Sequence, residues 1–285
     1  MKLQSIKANK PLNVAILDLY EGVANEGMRC IRKIIHEFAD EHNRDLELLE
    51  YDVRGKNEMA DLGFDVYISS GGPGSPVDSE GSDWERKYFR LMNDIMRYNI
   101  EHPERKKYVF LICHSFQIFC RHYNLGTVCK RKSTAFGVFP THKTHAGKKE
   151  SLFNQLPESF YIVDSRDWQV IQVDHDKLKQ MGGHVLCLEK FRPHVDLEQA
   201  AMSIRFNDCF FGTQFHPESD PEGMLRLLMR QDKKDIVISQ YGEDKYNETI
   251  AHLNDPDKIV LTRSTILPNF LIEATRHHYP NEMRA

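Results

Sequence analysis

The stretch Tyr108-Val-Phe-Leu-Ile-Cys113-His-Ser-Phe-Gln117 decides the fold of this 285-residue chain. Its first part is branched and aromatic, as in a strand buried on both faces. Apolar side chains then recur at helical spacing, at Phe116, Phe119, Cys120 and Tyr123. A cysteine between strand and helix lies at the carboxyl edge of the sheet and over the positive helix N-terminus, where a thiolate is favoured. Cys113 is therefore a candidate nucleophile on an elbow, although a lone cysteine is also compatible with a core residue.

A candidate base follows a second apolar strand, in the sequence Phe210-Phe-Gly-Thr-Gln-Phe-His216-Pro-Glu218. In extended chain, residues i and i+2 project to the same side. Glu218 can therefore accept from one imidazole nitrogen of His216 while the other nitrogen faces a thiol. Such a carboxylate fixes the tautomer and helps the imidazole take the thiol proton. For the tripeptide alone, a surface His-Pro-Glu turn is the alternative.

A third stretch, Ser69-Ser-Gly-Gly-Pro-Gly-Ser-Pro76, forms a loop at the end of another strand pattern. Glycines there allow positive φ angles and bring backbone N–H groups close to a substrate oxygen. A phosphate-binding loop is disfavoured because no Gly-Lys-Ser/Thr follows, two prolines remove donors, and the next helix starts only near Ser82 or Asp83.

In its motifs the chain resembles the class I glutamine amidotransferase domain family, including the amidotransferase domain of GMP synthase. The resemblance covers about residues 12–220 and rests on three stretches in the family's order, Ser69–Pro76, Ile112-Cys113 with Gln117, and Gly212–Glu218. It implies an enzyme with a Cys-His-Glu triad that hydrolyses the γ-amide of glutamine, or a γ-glutamyl amide, through a cysteine thioester.

The resemblance also implies a role for each matching position. Cys113 would be the nucleophile, His216 the general base and acid, and Glu218 the residue that orients the histidine. The backbone N–H groups of Gly72 and His114 would form the oxyanion hole. The implied substrate-binding residues are Gly71, Gln117, Asp167 and Trp168. No metal ion and no cofactor are implied.

The elbow departs from the family's pattern at two positions. Family members have glycine two residues before and two residues after the cysteine, where the turn is tight. This chain has Leu111 and Ser115 there. Three interpretations stay open: an amidotransferase that delivers ammonia to a partner synthetase, a stand-alone γ-glutamyl hydrolase, and a catalytically weak binding or regulatory protein on the same fold.

The order of patterns predicts an α/β fold. Strand and helix patterns alternate over residues 12–123, as in a doubly wound, mostly parallel, flavodoxin-like sheet. Short strand patterns over residues 127–215 predict added antiparallel strands. The rest of the chain is helical, with Pro268 in the first turn of a helix. We predict an amidotransferase-like domain at 1–232 and a helical extension at 233–285 that packs on it.

The composition of the chain limits the classes of partner that we expect it to bind. A net charge of −4 and a pI near 6.4 provide no overall attraction to nucleic acid or an anionic membrane. A basic cluster is interpreted as a solvated face because no aromatic residues interleave it; its members are Arg131, Lys132, Lys143, Lys148 and Lys149. The expected partners are glutamine or a γ-glutamyl small molecule, and either a synthetase subunit or a second copy of the chain.

The sequence also favours a cytoplasmic location. The first residues lack a signal-peptide pattern, and no apolar run approaches the length of a membrane span. The six cysteines contain no C-x-x-C pair, which is compatible with a reducing compartment.

Overall fold

The computed structural model describes residues 11–193, 196 and 198–276. The strands in this part of the chain are β1 (Leu12–Asp18), β2 (Leu46–Asp52), β3 (Val66–Ser69), β4 (Tyr108–Ile112), β5 (Thr127–Lys143), β6 (Ser159–Ile171), β7 (His184–Glu189), β8 (Ala201–Arg205) and β9 (Phe210–Thr213). The α-helices are α1 (Gly27–Glu41), α2 (Asp83–Glu101), α3 (His114–His122), α4 (His175–Gln180), α5 (Pro221–Leu228), α6 (Gln231–Tyr241), α7 (Glu243–Ala251) and α8 (Leu261–Thr275).

These strands form one sheet in the order β2-β1-β3-β4-β9-β8-β7-β5-β6. Pairing is parallel from β2 to β9 and antiparallel from β9 to β6. Every residue of β3 and β4 is buried, as expected for parallel strands covered on both faces. The predicted fold class, a mostly parallel α/β sheet with antiparallel additions, is confirmed.

The antiparallel part differs in detail from the sequence prediction. Two predicted short strands, 127–130 and 135–139, belong to the single long strand β5, which has a register shift between Lys130 and Ala135. β6 likewise continues through a polar stretch, because Arg166 Nε donates to both carboxylate oxygens of Asp164, at 2.9 and 3.0 Å. The pair satisfies both charges inside the protein, so the strand need not end there.

The predicted solvated basic face is only partly correct. Lys132, Lys148 and Lys149 are exposed. Arg131 instead buries its side chain and pairs with Glu189 at 3.0 Å. The sequence pattern could not supply this partner, because Glu189 arrives from β7.

The C-terminal helices pack in two places. Helices α5–α7 form a small apolar core with the β5–β6 hairpin, made of Phe136, Val138, Val163, Met224, Leu228, Val237, Tyr246, Leu253 and Ile259. Helix α8 joins the main core, where the Phe270 ring lies 5.1 Å from that of Phe110. The division of the chain at residue 232 stays a prediction, and its two ends, 1–10 and 277–285, lie outside the described residues.

Pro268 lies inside α8, which begins at Leu261, so its predicted place in a first turn is wrong. Proline there removes one helical hydrogen bond. Burial of the flanking apolar side chains offsets this loss, since Ile266, Leu267, Phe270 and Leu271 are almost fully buried. No helix in the described part of the chain is both long and apolar enough to cross a membrane.

An arginine joins α8 to the sheet. Arg205, in β8, donates to both carboxylate oxygens of Glu150, at 2.6 and 2.8 Å. It also donates to Glu273 of α8 at 2.9 Å. The side chains of Arg205 and Glu150 are only 15% and 7% exposed, so this network is shielded from water and salt.

Replacing Arg205 with Met should therefore destabilise the protein by about 3–5 kcal/mol, because the buried carboxylate of Glu150 loses its counter-charge. Urea unfolding followed by circular dichroism measures this change. The matched control is Arg230→Met, because the Arg230–Asp232 pair is more than half exposed and should contribute less than about 1 kcal/mol. Equal losses in the two variants would contradict the assignment.

Candidate active site

Cys113 occupies a strained corner between β4 and α3. Its backbone has φ 49° and ψ −97°, a conformation that side chains other than glycine rarely adopt. The Cys113 N–H donates to the Thr213 carbonyl at 2.7 Å, and the Gln117 N–H donates to the Cys113 carbonyl at 3.0 Å. These bonds hold the sulfur at the carboxyl edge of the sheet, as in a nucleophile elbow.

Ser115 connects the elbow to the neighbouring strand. Its buried Oγ accepts from the Ile112 N–H at 2.8 Å. The hydroxyl lies 2.9 Å from the Ser69 carbonyl and 3.0 Å from the Ile112 carbonyl, to either of which it can donate. A side chain at this position is therefore accommodated within the turn and hydrogen-bonded to both strands.

Leu111 lies beside a glycine of the adjacent strand. It lies opposite Gly212 in the β4–β9 pairing. A Cβ atom at position 212 would lie 2.8 Å from the Phe116 ring and 3.4 Å from the Leu111 Cβ. The missing Cβ leaves room for the Phe116 ring and for the Phe206 ring, which would be 3.0 Å away, whereas 3.4 Å is an ordinary contact distance.

His216 and Glu218 lie beside this elbow. The His216 N–H donates to the Val163 carbonyl at 2.9 Å, which fixes the segment after β9 against β6. The His216 Nδ1 is 2.8 Å from Glu218 Oε1, and Glu218 is fully buried. With Nδ1 bound to the carboxylate, Nε2 is the nitrogen available to a thiol.

The electrostatics favour a charged imidazole. Burial lowers the pKa of His216, but the Glu218 carboxylate raises it, and so does the nearby Cys113 sulfur. The raising effects prevail, and the pKa lies well above its ordinary value. The imidazole is therefore well placed to take and keep the thiol proton.

The glycine loop closes tightly on the end of β1. A Cβ atom at Gly72 would lie 2.4 Å from the Leu19 carbonyl oxygen, so a larger residue does not fit. Arg54 Nη1 donates to the carbonyls of Pro73 and Leu19, at 2.7 and 3.2 Å. The loop that carries one predicted oxyanion donor is thus fixed from both sides.

The second predicted donor, His114, begins α3, and the N–H of a first helical residue has no carbonyl partner within the helix. Its imidazole is buried, and burial, with Arg54 and Arg121 nearby, lowers its pKa to about 3. The side chain is therefore neutral near neutral pH, and the backbone N–H remains the predicted oxyanion donor.

The four predicted substrate-binding residues differ in how near they lie to the Cys113 sulfur. A Cβ atom at Gly71 would lie 2.9 Å from His216 Cε1 and 3.6 Å from Cys113 Cβ. The Gln117 amide donates to the Trp168 carbonyl at 3.1 Å. Asp167 is exposed and accepts from Thr134 Oγ1 at 2.5 Å. Gly71 therefore lies beside the triad, and Gln117 and Trp168 are linked to the sulfur through Gln214. The substrate-binding role of all four residues stays a prediction.

Two residues near the sulfur were missed as site residues. The Gln214 amide lies 3.7 Å from Cys113 Sγ and accepts from Gln117 at 3.1 Å. It lies within the quoted motif, so its position could have been noticed. The Tyr20 hydroxyl would lie 3.2 Å from a Cβ atom at Gly71. Its only sequence signal is that it follows the first strand, at the same edge of the sheet.

Comparisons with known proteins identify the family of the chain and the class of its fold. The family model "Glutamine amidotransferase class-I" matches residues 23–235, about three quarters of the chain. A search of curated proteins gave no match.

Three solved structures illustrate the similarity of the fold. A glutamine amidotransferase from Thermotoga maritima is 12% identical, with a TM-score of 0.64 over 94% of this chain and 99% of that one. A glutamine amidotransferase from Methylobacillus flagellatus is 12% identical, with a TM-score of 0.58 over 95% and 94%. The CTPS glutaminase domain from Trypanosoma brucei, with bound acivicin, is 13% identical, with a TM-score of 0.52 over 73% and 86%. At these identities the likeness concerns the fold.

Replacing Glu218 with Gln should lower the pKa of His216, because the carboxylate that raises it is removed while burial remains. NMR titration of the His216 ring, assigned with a His216→Asn variant, measures the shift. Glu222→Gln is the matched control, since Glu222 is 65% exposed on α5. An unchanged His216 titration in Glu218→Gln would be incompatible with this electrostatic account.

Ser115→Gly tests whether the departure from glycine supports the elbow. We expect a loss of about 1–3 kcal/mol of unfolding free energy, because the Ile112 N–H loses a buried acceptor. Urea unfolding measures it, with Ser133→Gly at an exposed position as the control. A stabilised Ser115→Gly protein would indicate that the serine only strains the turn.

Proposed function

The chain belongs to the class I glutamine amidotransferase family, and we propose that it hydrolyses the γ-amide of glutamine, or of a γ-glutamyl compound, at Cys113. The observation that carries this proposal is the His216–Glu218 bond of 2.8 Å beside a cysteine with positive φ. A strained elbow cysteine next to an oriented imidazole suits nucleophilic attack on a carbonyl.

In the first step, the Cys113 thiolate attacks the carbonyl carbon of the side-chain amide and forms a C–S bond. The oxyanion of the tetrahedral intermediate accepts hydrogen bonds from the Gly72 and His114 N–H groups. As the C–N bond breaks, the His216 imidazolium gives its proton to the leaving nitrogen. The products of this step are ammonia, or an amine, and a thioester on Cys113.

In the second step, water attacks the thioester carbonyl while neutral His216 takes one of its protons. The C–S bond breaks, the γ-carboxyl product leaves, and the thiolate–imidazolium pair is restored. Glu218 keeps its hydrogen bond to Nδ1 throughout, so the imidazole exchanges protons through Nε2. Cys113 is only 5% exposed, which limits the access of bulk water to the thioester.

We further propose that ammonia passes to a synthetase, in a separate subunit or assembly. The fold similarity to the CTPS glutaminase domain motivates this step, because that domain is named as part of a synthetase. A stand-alone γ-glutamyl hydrolase would release its product to solvent instead. We place the protein in the cytoplasm, where its six free cysteines would stay reduced.

Cys113→Ala should abolish the release of glutamate and ammonia from glutamine, by at least about a thousandfold in kcat, while the circular dichroism spectrum stays unchanged. Cys129→Ala is the matched control, because Cys129 is partly exposed and lies outside the triad. A glutamine-like electrophile should add once to the wild-type protein and not to Cys113→Ala, as measured by intact mass. Turnover retained in Cys113→Ala would exclude the proposed nucleophile.

Wild-type protein that neither hydrolyses glutamine nor reacts with the electrophile would contradict glutamine as the substrate. A γ-glutamyl dipeptide tested in the same assay then separates the hydrolase from a binding protein. Release of the amine, lost in Cys113→Ala, identifies the hydrolase. Binding without release identifies the binding protein.

A further inference from the structure

One carboxylate oxygen of the candidate triad lacks a partner. Glu218 Oε1 accepts from His216, but Glu218 Oε2 is buried and has no hydrogen-bond partner. A buried carboxylate oxygen without a donor is costly, and hydrogen bonds to carboxylates are among the strongest in proteins. A hydrogen-bond donor near Glu218 Oε2 would therefore stabilise the carboxylate.

The Tyr20 hydroxyl borders the Glu218 carboxylate and is the candidate for this donor. A Cβ atom at Gly27 would lie 2.5 Å from Tyr20 Oη and 3.2 Å from Glu218 Oε1, so both groups border the same small space. None of the hydrogen bonds between described residues uses Tyr20 Oη. The phenol therefore has an unused donor beside the carboxylate.

Two glycines make room for this hydroxyl. Gly27 begins α1 and Gly71 lies in the loop after β3, and a Cβ atom at either position would approach Tyr20 Oη, at 2.5 and 3.2 Å. The same point at Gly71 is 2.9 Å from His216 Cε1. The hydroxyl is thus held between the two glycines, next to the imidazole and the carboxylate.

We propose that Tyr20 is a positioning residue of the triad, whose hydroxyl donates a hydrogen bond to the Glu218 carboxylate and so fixes the orientation of His216. This inference rests on the proposed function for its catalytic consequence. The hydrogen bond itself can be tested without turnover.

The charged and titratable groups around the hydroxyl are consistent with a neutral donor. After burial, Glu218 and Cys113 contribute most to raising the pKa of Tyr20, and Asp18 and Cys30 add to it. The phenol therefore keeps its proton near neutral pH, and its O–H can donate a hydrogen bond to a carboxylate.

Tyr20→Phe removes only the hydroxyl. Without this hydrogen bond the Glu218 carboxylate attracts the imidazolium more strongly. We therefore expect the pKa of His216 to rise, so that its NMR titration moves to higher pH. If the protein hydrolyses glutamine, kcat should fall about tenfold, as when one positioning hydrogen bond is lost, and KM should change less than about twofold. Tyr123→Phe is the matched control, because the Tyr123 hydroxyl binds Asn93 at an exposed position.

Gly27→Ala tests the same contact by displacing the phenol. In the wild-type background it should reproduce the shift of the His216 titration, and in the Tyr20→Phe background it should add little, because the hydroxyl that it displaces is already absent. This second variant keeps the test available if Tyr20→Phe fails to fold. Additive shifts in the double variant would overturn the proposal.

The outcomes separate this proposal from the proposed function. An unchanged His216 titration in both variants overturns the role of Tyr20, whatever the kinetics show. A raised KM with an unchanged titration also overturns it, because Tyr20 would then contact the substrate. A shifted titration in a protein without any amide hydrolysis supports the hydrogen bond and contradicts the proposed function alone.

Discussion

The structure depends on the parallel pairing of β4 with β9. This pairing places Ile112 opposite Thr213 and ends with the hydrogen bond from Cys113 N–H to the Thr213 carbonyl. The strand that ends at Cys113 and the strand that leads to His216 therefore reach the same edge of the sheet. Residues distant in sequence meet because the register of two strands is fixed.

The elbow shows how two side chains replace two glycines without abolishing the turn. Ser115 uses its hydroxyl to bond the backbone of its own turn and lies within reach of the end of β3. Leu111 is fully buried opposite Gly212 in the neighbouring strand. The backbone keeps its strained conformation because the surrounding packing specifies it. A departure from a local motif is thus compensated by partners that are remote in sequence.

The difference between local patterns and remote partners also explains how much of the structure the sequence could predict. The bounds of β4 and the contact between His216 and Glu218 follow from local patterns, an apolar run and an i, i+2 spacing, and both are found in the structure. The polar course of β6 was not predicted: the i, i+2 spacing of Asp164 and Arg166 is compatible with a contact, but their burial depends on the elements that pack on this strand. The position of Tyr20 depends on two glycines from separate elements. Patterns identify elements, while partners across the sheet depend on tertiary structure.

The packing of α8 on β4 has a consequence for protein synthesis. The Phe270 ring lies 5.1 Å from Phe110 and 6.3 Å from Tyr108, in the strand that leads to Cys113. A nascent chain still attached at the ribosome before residue 261 would expose this face of its central strand. Contacts between residues so far apart in sequence form slowly, and an exposed aromatic face is prone to aggregation until it is covered. The strand that supports Cys113 is thus covered late, when translation has passed α8.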